Sequence, residues 1–315
     1  MVEFENKSSW ELYFGTVGGV PTSGRNVVFA FNSGWEYDCP NIDDRHFISS
    51  DKAGGTGGDD KPASAGGDPH FQRWGSEHFS FHGECDLVMA HSDSFHNGAG
   101  LDLHVRTTID SYFSFIETAA LRIGQNILQF HPTAVILNGI ELTPSDLPFT
   151  FGDSFKYTIR EGDLEEGKNA KFYQYFQVDL HEDSHMVFKF YKKFLTIDIT
   201  GHTNDFADSV GLLGDYHTGK MISRNGEELT NFESFGFEWQ VSPEDPMIFA
   251  DARSPQLPYE RCRMPTAPRP SRRQLRGYDS VFLEAAKQAC MKSANADLCM
   301  DDVLTTKDLG IAGLW

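Results

Sequence analysis

The stretch MVFKFYKKFLTIDIT (Met186–Thr200) is made largely of β-branched and aromatic residues, with Val187, Ile197 and Ile199 set among Phe188, Phe190, Tyr191 and Phe194, and Gly201 ends the run. Such side chains lose rotamer freedom in a helix and pack well on a pleated surface, so the stretch reads as β-structure. The same texture extends outward on the N-terminal side. Leu101, Leu103 and Val105 alternate with Asp102 and His104, and Phe79 and Phe81 alternate with Ser80 and His82, the period of two of a half-buried strand. Asn97-Gly98, Asn138-Gly139 and Asn225-Gly226 fall between such runs and suit hairpin turns. No segment between His70 and Val241 carries a sustained 3.6-residue period. The expectation is an all-β fold: one antiparallel unit, a sandwich or partly closed barrel.

Other textures flank this unit. Residues 1–53 mix β-like runs (Trp10–Val17, Asn26–Phe31) with turn residues and have no role that the sequence names. Residues 54–67, GGTGGDDKPASAGG, hold six glycines in fourteen positions and read as a flexible linker. Residues 251–277 form an Arg/Pro-rich connector, with seven Arg and five Pro between Arg253 and Arg276. Its prolines exclude regular helix. It reads as a solvated linker, with docking onto an acidic surface or an anionic polymer as the alternatives. The last part, 278–315, reads as a helical tail: Tyr278–Met291 places Phe282, Ala285, Ala286 and Ala289 on one face behind a cap at Asp279 or Ser280, and a second helix is expected near Asp301–Leu309.

Composition narrows the function classes. The chain of 315 residues carries 27 Lys+Arg against 46 Asp+Glu, a formal net charge of −19, which repels phosphate backbones and argues against a nucleic-acid partner. Its 26 Phe demand a core and argue against disorder. Nothing approaches the roughly 18 uninterrupted apolar residues of a membrane span. Met1–Val20 contains Glu3, Glu5, Lys7 and Glu11 and lacks the apolar centre of a signal peptide, so an extracellular location implies that this chain is a piece of a longer protein. The five cysteines are compatible with one or two disulfides and leave at least one thiol over, while the absence of C-x-x-C excludes zinc-ribbon and thioredoxin-like readings. Walker A, G-x-S-x-G and G-x-G-x-x-G motifs are also absent.

Three short motifs stand in order along the β unit. Gly67-Asp68-Pro69-His70-Phe71 precedes Phe79–Asp86 (FSFHGECD), Val210–Tyr216 reads VGLLGDY, and Trp239-Gln240-Val241 lies near the end. Together they resemble the von Willebrand factor type D (VWFD) domain, which opens on G-D-P-H, carries a G-L-C-G-[ND] segment and closes on W-x-V. The resemblance places that domain at 68–250. Cys290 and Cys299 with Asp302-Val303-Leu304 resemble, more loosely, the cysteine-bearing helical (C8-like) tail that follows such domains. Leu213 stands where the family has cysteine.

The resemblance implies two disulfides, Cys85 with Cys262 and Cys290 with Cys299, leaving Cys39 over; buried free thiols are the alternative at Cys85 and Cys262. It also implies calcium between the opening loop and the loop after Gly214. Asp215 falls on a ligand position there and Asn225 is a further oxygen donor, whereas Gly75 and His217 replace acidic residues. A turn-capping Asp215 is the alternative. Some members of the family cleave their own Asp–Pro bond, which here would be Asp68-Pro69 with His70 moving a proton; the bland reading is that Pro69 starts a strand. The rival class is a divalent-metal hydrolase built on His70, His78, His82, His91, His96 and His104, with His78 and His82 on one strand face. The expectation is therefore a non-enzymatic extracellular or cell-surface module of a matrix or adhesion protein, with protein, matrix or homotypic partners and calcium as the implied ion. Self-processing and metal hydrolysis are its alternatives.

Overall fold

The computed structural model describes residues 60–164, 172–181, 184–251, 261–268, 280–293 and 295–315, together with short strands between residues 2 and 29. The chain divides into two units, Met1–Thr56 and Gly57–Trp315. In the first unit β1 (Val2–Glu3), β2 (Glu11–Phe14) and β5 (Val27–Phe29) form a three-stranded sheet, and β3 (Thr16–Val17) pairs with β4 (Val20–Pro21). Cys39, residues 54–59 of the Gly-rich stretch and the Arg/Pro segment from 252 to 260 and 269 to 279 lie outside the described residues.

The second unit is built on two antiparallel sheets, with no closed barrel. The six-stranded sheet is a meander of β9 (Asp86–Ser92), β10 (Leu101–Asp110), β11 (Phe113–Ile123), β12 (Asn126–His131), β13 (Ala134–Leu137) and β14 (Ile140–Leu142). The eight-stranded sheet runs β15 (Phe149–Phe151), β16 (Tyr157–Glu161), β17 (Tyr173–His181), β18 (Ser184–Tyr191), β19 (Phe194–His202), then β6 (Asp60–Gly66), β7 (His70–Gln72) and β8 (His78–Ser80). Inward side chains of both sheets share one core, where Phe130 of β12 stacks on Phe188 of β18 with centroids 3.6 Å apart.

Met186–Thr200 folds as the β18–β19 hairpin, turning at Lys192-Lys193 with Lys192 at φ 54°. Asn138-Gly139 makes the tight β13–β14 turn with φ of 49° and 83°, as the hairpin reading predicts. Asp60–Gly66 is a correction to the linker reading: it pairs with β19 on one side and β7 on the other. Its small residues allow this, because a Cβ on Gly66 would lie 2.4 Å from Thr196 Oγ1. The proposed shared face of His78 and His82 is also corrected, since β8 ends at Ser80.

On β10 the alternation holds, but the polar face is covered. Asp102, His104 and Arg106 are all buried. Arg106 pairs with Asp86 and Asp251 and lies over the Phe249 ring, and Ile248 and Phe249 pack on Ala120 of β11. A β-bulge opposite Leu103/His104 leaves Met89 without a direct partner on β10. Its carbonyl instead accepts the Leu213 N–H, and Gly211, at φ 124°, approaches so closely that a Cβ would sit 2.6 Å from that oxygen. This contact explains the glycine that opens GLLG.

Disulfides join Cys85 to Cys262, 177 residues apart, and Cys290 to Cys299. The tail forms α4 (Ser280–Cys290), α5 (Ala296–Thr306) and a closing 3-10 helix at Leu309–Leu314; α1 (Phe95–Gly98), α2 (Thr203–Phe206) and α3 (Phe232–Glu238) lie earlier in the chain. The buried face of α4 uses Ala286 and Cys290 with Phe282 half-buried, whereas Ala289 is exposed, because the disulfide draws position 290 inward. Ala286, Val303, Ile311 and Leu314 pack on Phe113, Phe115, Tyr175 and Phe194 of the sheets. The hydroxyls of Tyr112, Tyr173, Tyr175 and Tyr191 donate to Thr305, Gly310, Gly313 and Asp308 of the tail. No helix among the described residues is long and apolar enough to cross a membrane.

Candidate functional site

The Gly67–His70 segment links β6 to β7 and lies beneath the tail. Gly67 has φ 63°, and a Cβ there would meet Asp302 Oδ2 at 1.8 Å, so only glycine lets α5 approach. Asp302 is fully buried. Its Oδ1 accepts the Asp68 N–H at 2.9 Å and stands 3.5 Å from His70 Nε2, and its Oδ2 accepts the Trp315 indole N–H at 2.6 Å. His70 Nδ1 lies 2.7 Å from Ser80 Oγ, and the Asp68 carboxylate lies 2.9 Å from His82 Nδ1. One buried carboxylate thus joins the start of the motif to the end of the chain.

Burial alone would lower the pKa of His70. The hydrogen bond and charge of Asp302, with Asp68 and Asp301 behind it, outweigh burial and lift it above the ordinary imidazole value. Burial also raises the carboxyl of Asp302, against the opposing pull of His70. Both shifts favour an extra proton in the folded site. On β8, burial and the nearby His70 charge push His78 down to about 4.

The implied calcium ligands are engaged in local hydrogen bonds of their own loops. The two loops meet, since Trp74 N–H donates to Leu213 O and Arg73 to Gly219 O. However, the cation already on the second loop is the Lys61 ammonium, 2.8 Å from both the Tyr216 and the His217 carbonyl. Asp215 Oδ1 accepts the backbone N–H and the hydroxyl of Thr218, and Asn225 Oδ1 accepts from Ser223 and Glu227. Both carboxamide and carboxylate oxygens thus close turns, and a neighbouring ammonium lowers the attraction of this loop for a divalent ion.

The six candidate histidines do not converge. His70 faces Asp302, His82 faces Asp68, His91 Nδ1 lies 2.7 Å from Asp102, and His96 lies beside Asp205. His104 is buried with its Nε2 lacking a hydrogen bond, and burial pushes its pKa down to about 4. Sequence reasoning missed Asp302 and Trp315, which lie 234 and 247 residues from Asp68. It also missed His181 and Asp205, which join His96. Only the Asp302-Val303-Leu304 motif pointed to any of them. A scan against protein-family models and a search of curated proteins find no match to this chain.

Proposed function

We propose that Gly57–Trp315 is a disulfide-stapled extracellular module of VWFD type with a structural or adhesive role, whose helical tail is an integral part of the fold. The observation that carries this reading is the pair of disulfides. Bonds of this kind persist in oxidising compartments, and one closing a span of 177 residues adds about 5 kcal/mol in the chain-entropy model. Supporting it, the GDPH segment, the GLLG loop and Trp239 each make a close long-range contact. Gly67 admits Asp302, Gly211 admits Met89 O, and Val88 N–H donates to Trp239 O. Protein or matrix partners, or a second copy, have two edges to use, β14 and β15, with Ile140 and Phe149 exposed.

The test is intact mass and peptide mapping of the chain made through a secretory pathway. The expected result is Cys85–Cys262 and Cys290–Cys299, a gain of about 4 Da on reduction, two hydrogens per bond, and Cys39 as the remaining thiol. Five free thiols in the secreted chain would overturn the reading.

The setting of Asp68 favours a second reading, self-cleavage. Its carboxylate is buried against His82 and adjoins a proton-rich His70. Attack of the Asp68 carboxylate on its own carbonyl carbon would form a cyclic anhydride as the C–N bond to Pro69 breaks, with a proton passing to the proline nitrogen from the imidazolium. Water would then open the anhydride to two carboxyl groups. Residues up to 68 would stay bound after the cut through the pairing of β6 on both sides, so the readout is a denaturing gel and a new N-terminus at Pro69. An intact chain after prolonged incubation at mildly acidic pH removes this reading and leaves the structural module untouched.

A further inference from the structure

His96, His181 and Asp205 come from a turn after β9, the end of β17 and the α2 turn, and their ligand atoms lie within 4.8 Å of one another. It is the one such group of three His, Cys, Asp or Glu among the described residues. His96 Nε2 is 3.1 Å and His181 Nδ1 3.7 Å from Asp205 Oδ1. The backbone is bent to make this possible. His96 and Asn97 both take left-handed conformations, φ 46° and 59°, consecutive non-glycine residues in a region that disfavours a Cβ. The ring so placed is 4% exposed, stacked on Phe95 and Tyr157 with Phe155 beside it and His181 meeting it edge-on.

A second layer of groups orients the first. His96 Nδ1 lies 2.8 Å from Tyr157 Oη, and the Ser184 hydroxyl donates to Asp205 Oδ2 while its oxygen accepts the His202 N–H. When His96 donates Nδ1–H to Tyr157, its Nε2 lone pair, the His181 Nδ1 lone pair and the Asp205 carboxylate converge. In the other tautomer Nε2–H donates to Asp205 Oδ1; in this one a cation between the three atoms would take the place of that proton. The edges of a tetrahedron around an ion with bonds of about 2.0–2.1 Å are about 3.3 Å, and the two measured separations bracket that length. Metal-bound imidazoles typically hold their other nitrogen in a hydrogen bond, as Tyr157 provides here.

We infer that His96, His181 and Asp205 form a binding site for a divalent transition-metal ion of the zinc class. Two imidazole nitrogens and one carboxylate suit zinc or copper rather than calcium, which takes six to eight oxygens. His181 is about half exposed and Ser184 borders the same cleft of about 400 Å³, which also touches Lys156, Asp179 and His185. Of the three ligands His181 alone borders this cleft, so an ion would enter from its side. This site is separate from the Asp302 clasp and does not depend on the VWFD reading.

The test is calorimetric titration of chelator-treated, tag-free full-length protein with Zn²⁺ alone, with Ca²⁺ as the control, and the absorption spectrum of the Co²⁺ form. The expectation is one zinc per chain, no competition from calcium and a tetrahedral Co²⁺ spectrum. His181→Ala, at a half-exposed position, should weaken zinc at least about 100-fold, and Tyr157→Phe about 10-fold through the lost orienting bond. Asp205→Asn, nearly isosteric, should abolish the Co²⁺ spectrum. Unchanged zinc affinity in a folded His181→Ala protein, or no binding by the wild type, would overturn the assignment.

Discussion

His70 and His104 are both buried histidines of one β-sandwich, yet acid acts on them in opposite directions. His104 sits on the six-stranded sheet, facing the covered side of β10, and burial pushes it down to about 4. His70 lies on the eight-stranded sheet under the tail, where Asp302 reverses the effect of burial. What separates them is the group that faces the ring rather than the depth of burial. The linkage follows directly. The folded pKa of His70 lies above its unfolded value, so its stabilisation is complete below about pH 6.5 and is lost as pH rises through the folded value. The folded pKa of His104 lies below its unfolded value, so stability is lost as pH falls from about 6.5 towards 4.

Asp302→Ala would break the comparison most severely. It strips Asp68 N–H, His70 and Trp315 of a shared buried partner and should cost about 3–5 kcal/mol, read by denaturant unfolding. It should also turn His70 into a histidine of the His104 kind, with its pKa below 6.5 when followed by NMR of the ring protons. An unchanged His70 titration would mean that Asp302 does not set it. His104→Leu should sharpen the other half. In the wild type this ring withdraws about 1.4 kcal/mol per pH unit below 6.5, and the variant should lose that share of the acid slope while keeping the neutral-pH fold. Lys61→Met is expected to have the smallest effect, about 1 kcal/mol for two exchanged hydrogen bonds. Millimolar calcium should shift the melting temperature of wild-type protein by nothing measurable; a rise would contradict the reading of Lys61 as the resident cation.

The β-sandwich was legible because its strands alternate. Phe79, and Leu101, Leu103 and Val105, enter the core as their period of two requires. The fold departs from the sequence reading where local chemistry is uninformative. Lys192-Lys193 makes a hairpin turn without a turn residue, and β6 hides in a Gly- and Ala-rich stretch whose small size is itself what the close approach to Thr196 needs. The candidate sites were legible only in part. GDPH marks its own backbone, but the Asp302 and Trp315 that complete it come from a tail docked by tertiary packing. Likewise His96 gives no hint in sequence of meeting His181 and Asp205, since no short spacing links the three.

The integration of the tail through Asp302 is tested most directly by hydrogen exchange of the oxidised full-length protein at pH 5.5, 6.5 and 7.5, corrected for intrinsic rates and read separately for residues 296–315 and 101–110. The account predicts that protection of the tail falls as pH rises while protection of β10 falls as pH drops. A tail that exchanges freely at every pH, or the same pH trend in both segments, would contradict it.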